Sequence, residues 1–237
     1  MLLPNLTRPP VRAHTPTHTQ SSVGSSRREY PGPRPFRTQV YIHGGGFVGG
    51  SAATAWNLTR LTGHVVFAMQ YRLGALGFLS TSTPPANLGL ADQRFALQWA
   101  IDNARAFGGD PGKVMIYGCS AGGASVAGML TMPEAFGMYS AAGIESPGGH
   151  QGWMGDMVRS DDDWMSTDLN LANSESLARQ LNCTGASDIS CLQNLSLAAL
   201  YGPSRAMRFA PAMPTEGDYP LGLIRQGKWN KVGCRTP

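Results

Sequence analysis

Charged side chains are scarce in this chain of 237 residues, since lysine, arginine, aspartate and glutamate together make up only 14% of it. A continuous apolar run of roughly 18 residues, the length that a membrane-spanning helix needs, does not occur. The opening stretch, MLLPNLTRPP, holds no apolar segment of the kind that forms the core of a secretory signal. With 42% apolar residues and 30 glycines, the sequence is typical of a globular protein with many tight turns.

Acidic residues are almost absent from residues 1–38, where six arginines accompany a single glutamate, Glu29. This segment therefore has a net charge of +5, and because the whole chain has +4, the remaining residues sum to −1 and are close to neutral. Because no recognition motif accompanies the arginines, we expect no nucleic-acid partner. The segment is rich in Pro, Ser, Thr and Arg and has no sustained periodicity, which predicts a disordered tail at 1–38 and a folded domain at 39–237.

Cysteine is also sparse, with four in the chain, two of them in the polar segment CTGASDISC. The spacing of Cys183 and Cys191 leaves two interpretations open, a small disulfide loop or two unrelated buried thiols. Four Asn-X-Ser/Thr sequons favour a secretory origin. They lie at Asn5, Asn57, Asn182 and Asn194.

Short apolar segments alternate with helical patterns along the chain. A helix is predicted near Leu90–Phe107, because Leu97, Ala100, Ile101 and Ala104 recur at helical spacing and form one buried stripe. Strands are predicted at Val40–Ile42, His64–Arg72, Val114–Tyr117 and Ser140–Ser146. Strands that alternate with helices indicate an α/β protein with a mostly parallel sheet and helices on both faces. Residues 160–230 read as helices and loops.

The segment KVMIYGCSAGGASVAGML contains the pattern Gly-X-Ser-X-Gly between a predicted strand and a predicted helix. That context is the one in which a nucleophilic serine sits on a sharp strand-to-helix turn, so Ser120 is the candidate nucleophile. The glycines at 118 and 122 leave room where side chains would collide with the neighbouring strand and helix. The alternative is a glycine-rich turn in which Ser120 only caps the helix.

A second glycine-rich segment, HGGGF, follows the strand predicted at Val40–Ile42. Consecutive glycines allow backbone amides to approach an anionic oxygen without obstruction by side chains. Together with the amide that follows a nucleophilic serine, such a loop can form an oxyanion hole. The candidate donors are the amides of Gly45, Gly46 and Ala121, and a plain flexible loop is the alternative.

The segments VYIHGGGF, YRLGALGFLS, NLGLADQRFALQWAIDNARAFGGDP, VMIYGCSAGG and FAPAMPTEGDYPLGLIRQGKWNKV follow one another along the chain. In order and spacing they resemble the type-B carboxylesterases, the group that includes carboxylesterases, lipases and cholinesterase-like proteins. The resemblance implies a partial α/β-hydrolase fold and a serine hydrolase of small-molecule carboxylic esters that needs no metal and no organic cofactor. It also implies a disulfide between Cys183 and Cys191, outer strands at His64–Arg72 and Ser140–Ser146, and an extracellular or secretory location. It gives no indication of the oligomeric state.

The resemblance also raises the question of what activates Ser120. On this fold the order of the triad is serine, then an acid, then histidine, and the segments in which the family carries its acid and histidine do not occur in this sequence. Of the five histidines, only His150 follows Ser120, and only Glu134 or Glu145 lies between them as an orienting acid. A substitute triad of these residues is disfavoured, so the chain as written is expected to be nearly inactive.

Other residues are candidates for a pocket beside Ser120, and His150 is expected to be a surface or pocket-lining histidine. Cys119 stands where the family usually carries glutamate beside its nucleophile, and His43 is expected to support the oxyanion loop. Trp153 is either an acyl-pocket aromatic or a structural tryptophan. A different class of function, a non-catalytic cholinesterase-like binding or adhesion protein or a pseudoenzyme, remains the alternative to an enzyme.

Overall fold

The computed structural model describes residues 36–52, 56–81, 87–147 and 167–204, together with residues 207, 209–211, 227 and 230. Within these residues four strands form one sheet: β1 (Phe36–Ile42), β2 (Val65–Met69), β3 (Gly109–Cys119) and β4 (Ala141–Glu145). The strand order is β2-β1-β3-β4, and every neighbouring pair is parallel. The parallel α/β class predicted from the sequence is confirmed, and the two outer strands of the described sheet are the ones expected.

Helices connect and cover the strands. Those within the described ranges are α1 (Trp56–Thr62), α2 (Gly74–Phe78), α3 (Leu88–Asn103), α4 (Ala121–Thr131), α5 (Thr167–Gln180), α6 (Ile189–Asn194) and α7 (Leu197–Ser204). Two short 3-10 turns add to them, at Ala104–Phe107 and Pro133–Ala135. None of these described helices is long and apolar enough to span a membrane.

The two faces of the sheet carry alternate residues of each strand, because successive side chains of a strand point to opposite sides. Val40 and Ile42 of β1 belong to the main core, which they share with Leu97 of α3 and Val126 of α4. On the opposite face, Tyr41 belongs to a smaller cluster. That cluster also contains Val66 and Tyr117 of the neighbouring strands and Leu58 of α1. Helices therefore pack on both faces, as the sequence predicts.

Two strands are longer than the sequence suggested. β1 begins at Phe36, inside the segment 1–38 that was predicted to be disordered, and β3 begins at Gly109, five residues before the predicted start at Val114. The additional residues pair with each other, and the register then shifts between Arg37 and Thr38. The Thr38 hydroxyl donates a 3.0 Å hydrogen bond to the carbonyl oxygen of Asp110 at this bulge. Pairing between distant segments thus extends both strands across sequence that carries no strand pattern of its own.

The end of α3 also differs from the prediction, since the α-helix stops at Asn103 and its continuation to Phe107 is a 3-10 turn. Gly108 ends the turn in the left-handed conformation, with φ of 81°, and its amide bonds back to Ala104 and Arg105. The expected buried stripe is confirmed at Leu97, Ala100 and Ala104, whose exposures are 0%, 1% and 0%, and Ile101 is only partly buried.

The segment beyond the sheet is attached through buried polar contacts. The side chain of Asn170 in α5 donates hydrogen bonds of 2.9 Å and 3.2 Å to the carbonyl oxygens of Phe78 and Ala210.

A disulfide joins Cys183 to Cys191, with 5.7 Å between their Cα atoms, which confirms the pairing implied by the family resemblance.

Candidate functional site

Ser120 lies at the junction of β3 and α4 in a backbone conformation that residues other than glycine rarely adopt. Its φ is 56° and its ψ is −126°, and strain of this kind costs about 1–3 kcal/mol, so the surrounding structure must impose it. Two backbone hydrogen bonds of 2.9 Å do so, from the Ser120 amide to the carbonyl of Glu145 and from the Ala124 amide to the carbonyl of Ser120. The strand, sharp turn and helix predicted around this serine are all present.

Glycines make the turn sterically possible. A Cβ added at Gly118 would lie 2.3 Å from the carbonyl group of Gly122. A Cβ added at Gly122 would lie 2.0 Å from the carbonyl oxygen of Ile42 in β1. Gly123 lies against β4, since a Cβ added there would lie 2.8 Å from the carbonyl oxygen of Glu145. Small residues here allow α4 to start directly against the carboxyl ends of three strands.

The start of α4 is buried, and its first residue, Ala121, is 4% exposed. The first amides of a helix have no partner within the helix and carry the positive end of its dipole. An oxygen with developing negative charge beside Ser120 would therefore meet a favourable field.

The glycine loop lies directly beside this turn. A Cβ added at Gly44 would lie 2.6 Å from the carbonyl oxygen of Cys119 and 3.0 Å from the Cβ of Ser120. Gly45 and Gly46 follow with φ of 120° and 61°, values that favour glycine. The carbonyl oxygen of Gly45 accepts hydrogen bonds of 3.1 Å and 3.0 Å from the amides of Val48 and Gly49, which close the loop.

His43 holds the start of the loop from inside the protein. It is 1% exposed, and its ring stacks on Tyr71 with 4.4 Å between the ring centroids. The Tyr71 hydroxyl donates a 2.7 Å hydrogen bond to the carbonyl oxygen of His43. Burial lowers the pKa of His43, although the hydrogen bond with Gly44 and the side chain of Gln70 oppose that effect.

The hydrogen bond between the His43 ring and the glycine loop is donated by the ring. The ring Nδ1 lies 2.8 Å from the carbonyl oxygen of Gly44, and a carbonyl can only accept, so the proton is on Nδ1. In a trans peptide the carbonyl oxygen and the next amide hydrogen point in opposite directions. The amide of Gly45 therefore points away from the His43 ring.

Cys119 lies on the same face of the sheet as Tyr117, two residues before it in β3, and as Glu145 of β4. It pairs in register with Glu145, and the hydroxyl of Tyr117 donates a hydrogen bond to the Glu145 carboxylate. That bond is the largest cause raising the pKa of Tyr117 to about 12. Burial, followed by the charge of Glu145, raises the pKa of the Cys119 thiol. The thiol is thus protonated at neutral pH and does not act as an activated nucleophile.

A buried polar contact that the sequence did not reveal supports the start of α4. The side chain of Gln93 in α3 donates a 3.0 Å hydrogen bond to the Ser125 hydroxyl, which donates in turn a 2.9 Å hydrogen bond to the carbonyl oxygen of Ala121. Gln93 and Ser125 are both fully buried, with 0% exposure. The sequence does contain one indication that Gln93 is buried. Gln93 precedes Leu97 by one helical turn and therefore lies on the apolar stripe of α3.

A base that would activate Ser120 is not found among the described residues. Among the described residues, no hydrogen bond joins the Ser120 hydroxyl to a histidine, because the His43 ring is engaged with Gly44 and His64 lies just before β2. His150 and Trp153 lie outside the described residues. The part of the chain that the structure describes also contains no cluster of three or more potential metal ligands.

Comparison with known proteins agrees with this geometry. The family model described as "Carboxylesterase family" matches residues 33–218. An acetylcholinesterase of Gallus gallus is 32% identical over 213 residues, which cover 83% of this chain and 27% of that protein. A cholinesterase 1 of Branchiostoma lanceolatum is 43% identical over 129 residues, covering 52% of this chain and 36% of that protein.

A bacterial relative belongs to the same comparison. A probable N-octanoylanthranilate hydrolase of Rhodococcus erythropolis is 46% identical over 112 residues, which cover 45% of this chain and 25% of that protein. The chain thus spans only about a quarter to a third of the length of these relatives. The family match extends over both the glycine loop and the turn that carries Ser120. From its sequence match, its parallel sheet and its strained serine turn, the chain belongs to the carboxylesterase family.

Proposed function

We propose that this chain carries the nucleophile and the oxyanion donors of a serine hydrolase that acts on small-molecule carboxylic esters. The observation that carries the proposal is the strained conformation of Ser120, with φ of 56°, at the start of a buried helix and against a glycine loop. Strain of this kind persists only where the surrounding structure imposes it, and it is concentrated at functional sites. A serine that merely caps a helix has ordinary extended backbone geometry.

In the proposed reaction the Ser120 Oγ attacks the acyl carbon of the ester and its proton passes to a general base. The carbonyl oxygen becomes an oxyanion that accepts hydrogen bonds from the amides of Gly45, Gly46 and Ala121. The alcohol then leaves with a proton, and water hydrolyses the acyl-serine in a second step with the same geometry. No metal or organic cofactor takes part in these steps.

His43 acts in this scheme as a positioning residue and not as the base. Its neutral ring holds the Gly44 carbonyl at 2.8 Å, on the side away from the Gly45 amide. Since burial lowers its pKa and its Nδ1 is already engaged, the ring does not accept the proton of Ser120. Its stacking on Tyr71 fixes the ring plane.

We further propose that the 237 residues do not themselves supply the triad histidine and acid. The family triad places both after the serine, and the only histidine that follows Ser120 in this sequence is His150. Without a base the serine hydroxyl stays protonated, and loss of triad members lowers the rate by several orders of magnitude. The chain alone is therefore expected to hydrolyse esters at a negligible rate.

The names of the relatives support the reaction class and do not narrow it further. The relatives are named as cholinesterases and as a probable N-octanoylanthranilate hydrolase, so a choline ester, which is cationic, and an N-acylanthranilate, which is an anionic amide, are both worth testing. Trp153 remains a candidate for the acyl pocket.

The test is hydrolysis of p-nitrophenyl acetate and butyrate, together with labelling of Ser120 by a fluorophosphonate. In a longer form of the protein that supplies a histidine and an acid, Ser120→Ala should lower kcat by about 10³-fold or more and abolish labelling. Ser176→Ala, which changes an exposed serine in α5, is the matched control and should leave both unchanged. Full activity of Ser120→Ala in that form would refute the assignment of the nucleophile.

The alternative function is non-catalytic binding, which the replacement of the family's usual glutamate by Cys119 favours. It predicts that the longer form binds a hydrolysable ester, such as p-nitrophenyl butyrate, without turning it over. Turnover that depends on Ser120 would exclude it.

A further inference from the structure

We propose that Asn182 and Asn194 are acceptors of N-linked glycans and that Asn57, which has the same sequon chemistry, is not. The sequence contains all three sequons without distinguishing them. The structure separates them by exposure, and Asn182 precedes the disulfide loop Cys183–Cys191 directly while Asn194 follows it by three residues. The inference concerns a modification and does not depend on the proposed ester hydrolysis.

Asn182 is exposed immediately after α5. Its φ is 62°, and its amide donates a 3.0 Å hydrogen bond to the carbonyl of Arg179, while the amide of Cys183 donates a 2.9 Å bond to the carbonyl of Ala178. This pair of bonds is a Schellman motif with asparagine in the left-handed position. The backbone is therefore capped by its own bonds, and a glycan on the exposed side chain would not disturb them.

Asn194 is the last residue of α6 and is also exposed. The hydroxyl oxygen of Ser196, the third residue of its sequon, accepts a 3.2 Å hydrogen bond from the amide of Ala199 at the start of α7. The sequon thus lies on the surface turn between two short helices, where a glycan can extend into solvent.

Asn57 differs because it lies within α1 and is only partly exposed. Its side-chain Oδ1 is buried and has no hydrogen-bond partner among the described residues. The acceptor nitrogen belongs to the same planar amide group, so a sugar attached there would force that group out of its packed position. A glycan on Asn57 would therefore compete with the packing of this amide group, a cost that the exposed Asn182 and Asn194 do not carry.

The disulfide is the independent observation that places the chain in the compartment where glycans are added. Disulfides such as Cys183–Cys191 form and persist in oxidising compartments and are rare in the cytosol. Glycan transfer to asparagine takes place in the same oxidising lumen. The sequons and the disulfide thus indicate one location.

The transfer requires a lipid-linked oligosaccharide, a polyprenyl diphosphate ester, as the co-substrate. The asparagine Nδ2 forms a bond to the anomeric carbon of the sugar and loses a proton. The bond between that carbon and the diphosphate oxygen breaks, and the polyprenyl diphosphate leaves with the electron pair. No oxidant or reductant takes part.

The fold also sets an order between glycan transfer and disulfide closure at Asn182. The sequon hydroxyl of Thr184 donates a 3.0 Å hydrogen bond to the Asp188 carboxylate, and Cys183 is committed to the disulfide. A sequon held in this way cannot adopt the extended form that a transferase needs. Transfer to Asn182 must therefore precede closure of the loop, whereas transfer to Asn194 has no such constraint.

The test is site occupancy in the full chain, directed by a cleavable leader into the secretory pathway of cultured animal cells. Protein from the total cell extract is deglycosylated by peptide N-glycosidase in ¹⁸O-labelled water, and the labelled asparagines are quantified by peptide mass spectrometry. We expect label at Asn182 and Asn194 and below a tenth of that occupancy at Asn57. Cys191→Ser, which prevents closure, should raise the occupancy of Asn182 and leave that of Asn194 unchanged.

Matched variants separate the modification from effects on folding. Asn182→Gly removes the acceptor and keeps a residue that tolerates positive φ, and Thr184→Ser keeps both the sequon and the hydroxyl. Asn182→Gly should abolish the label at position 182 and leave Asn194 labelled, whereas Thr184→Ser should keep both sites labelled. Ser120→Ala should leave the occupancy of every site unchanged, whether or not the chain hydrolyses esters. Glycosylation of Asn57 as complete as that of Asn194 would overturn the proposal. So would absence of label at either Asn182 or Asn194 in both the parent chain and Cys191→Ser.

Discussion

Gly44 lies so close to Ser120 that a Cβ on the glycine would be 3.0 Å from the Cβ of the serine and 2.6 Å from the carbonyl oxygen of Cys119. These residues belong to different strand ends and are far apart in the sequence. The contact joins the glycine loop to the serine turn and makes a single site of the two motifs. It also shows why the first glycine of the loop cannot carry a side chain even though its φ is not positive.

We expect Gly44→Ala to destabilise the fold and to separate the loop from the turn. Because the obstructing atom is backbone, the clash cannot be relieved by a side-chain rotation, and overpacking of this kind costs about 1–3 kcal/mol. The measurement is urea denaturation followed by circular dichroism. Gly49→Ala in the same loop is the control, since its Cβ would meet only the carbonyl oxygen of Gly45, at 4.0 Å. Equal stability of the two variants would contradict the contact.

The buried pair Gln93–Ser125 predicts an asymmetry between two single substitutions. Ser125→Ala leaves the buried amide of Gln93 without an acceptor, which costs about 1–3 kcal/mol. Gln93→Leu removes the buried amide itself, including an Oε1 that has no partner among the described residues, so its cost should be smaller.

The double variant Gln93→Leu with Ser125→Ala tests this asymmetry as a cycle. It should be more stable than Ser125→Ala alone, because the unpaired polar group is gone. Purely additive free energies of unfolding would show that the two side chains do not interact.

The reactivity of Cys119 should depend on Glu145. Burial and the neighbouring carboxylate raise the pKa of the thiol above its ordinary value of 9.0, so little thiolate is present at pH 8. Glu145→Gln removes the negative charge, lowers the pKa and should speed alkylation of Cys119 by iodoacetamide, measured by peptide mass spectrometry between pH 7 and pH 10. Glu134→Gln, on a 3-10 turn, is the control. An unchanged pH profile in Glu145→Gln would contradict the assigned interaction.

Asp188 should make the disulfide loop sensitive to acid. Its carboxylate accepts hydrogen bonds from the Cys191 amide and from the hydroxyls of Thr184 and Ser190, and these bonds hold its pKa below the ordinary value of 3.8. A depressed pKa means that the stabilisation is present above that value and is lost as the pH falls through the folded-state pKa.

Thermal unfolding measured between pH 6 and pH 2 tests this prediction. The parent chain should lose more stability below pH 4 than Asp188→Asn, which keeps a cap acceptor without a titrating group. Parallel curves for the two proteins would show that the carboxylate is not stabilised by the loop.

The strand-turn-helix around Ser120 and the buried stripe of α3 were predictable because their signals are local. A glycine two positions on either side of the serine, and apolar residues one helical turn apart, specify these elements within a few neighbouring residues. The pairing of Cys183 with Cys191 was different, since the spacing alone left it open and only the family resemblance favoured it.

Other features could not be read from neighbouring residues. The extension of β1 and β3 toward Phe36 and Gly109 depends on pairing between segments that are distant in sequence. The role of Gln93 depends on a hydroxyl 32 residues away. No propensity or period in either segment carries that information.

The sequence by itself determined the family, the order of the elements and the identity of the nucleophile candidate, because backbone conformation and helical period are properties of adjacent residues. The tertiary structure decided which chemically equivalent groups have access to solvent and which meet one another. It buried the Oδ1 atom of Asn57 and left Asn182 on the surface, and it brought Gly44 against Ser120. Burial and contact arise from the packing of distant segments, so they are settled only when the sheet and its helices have assembled.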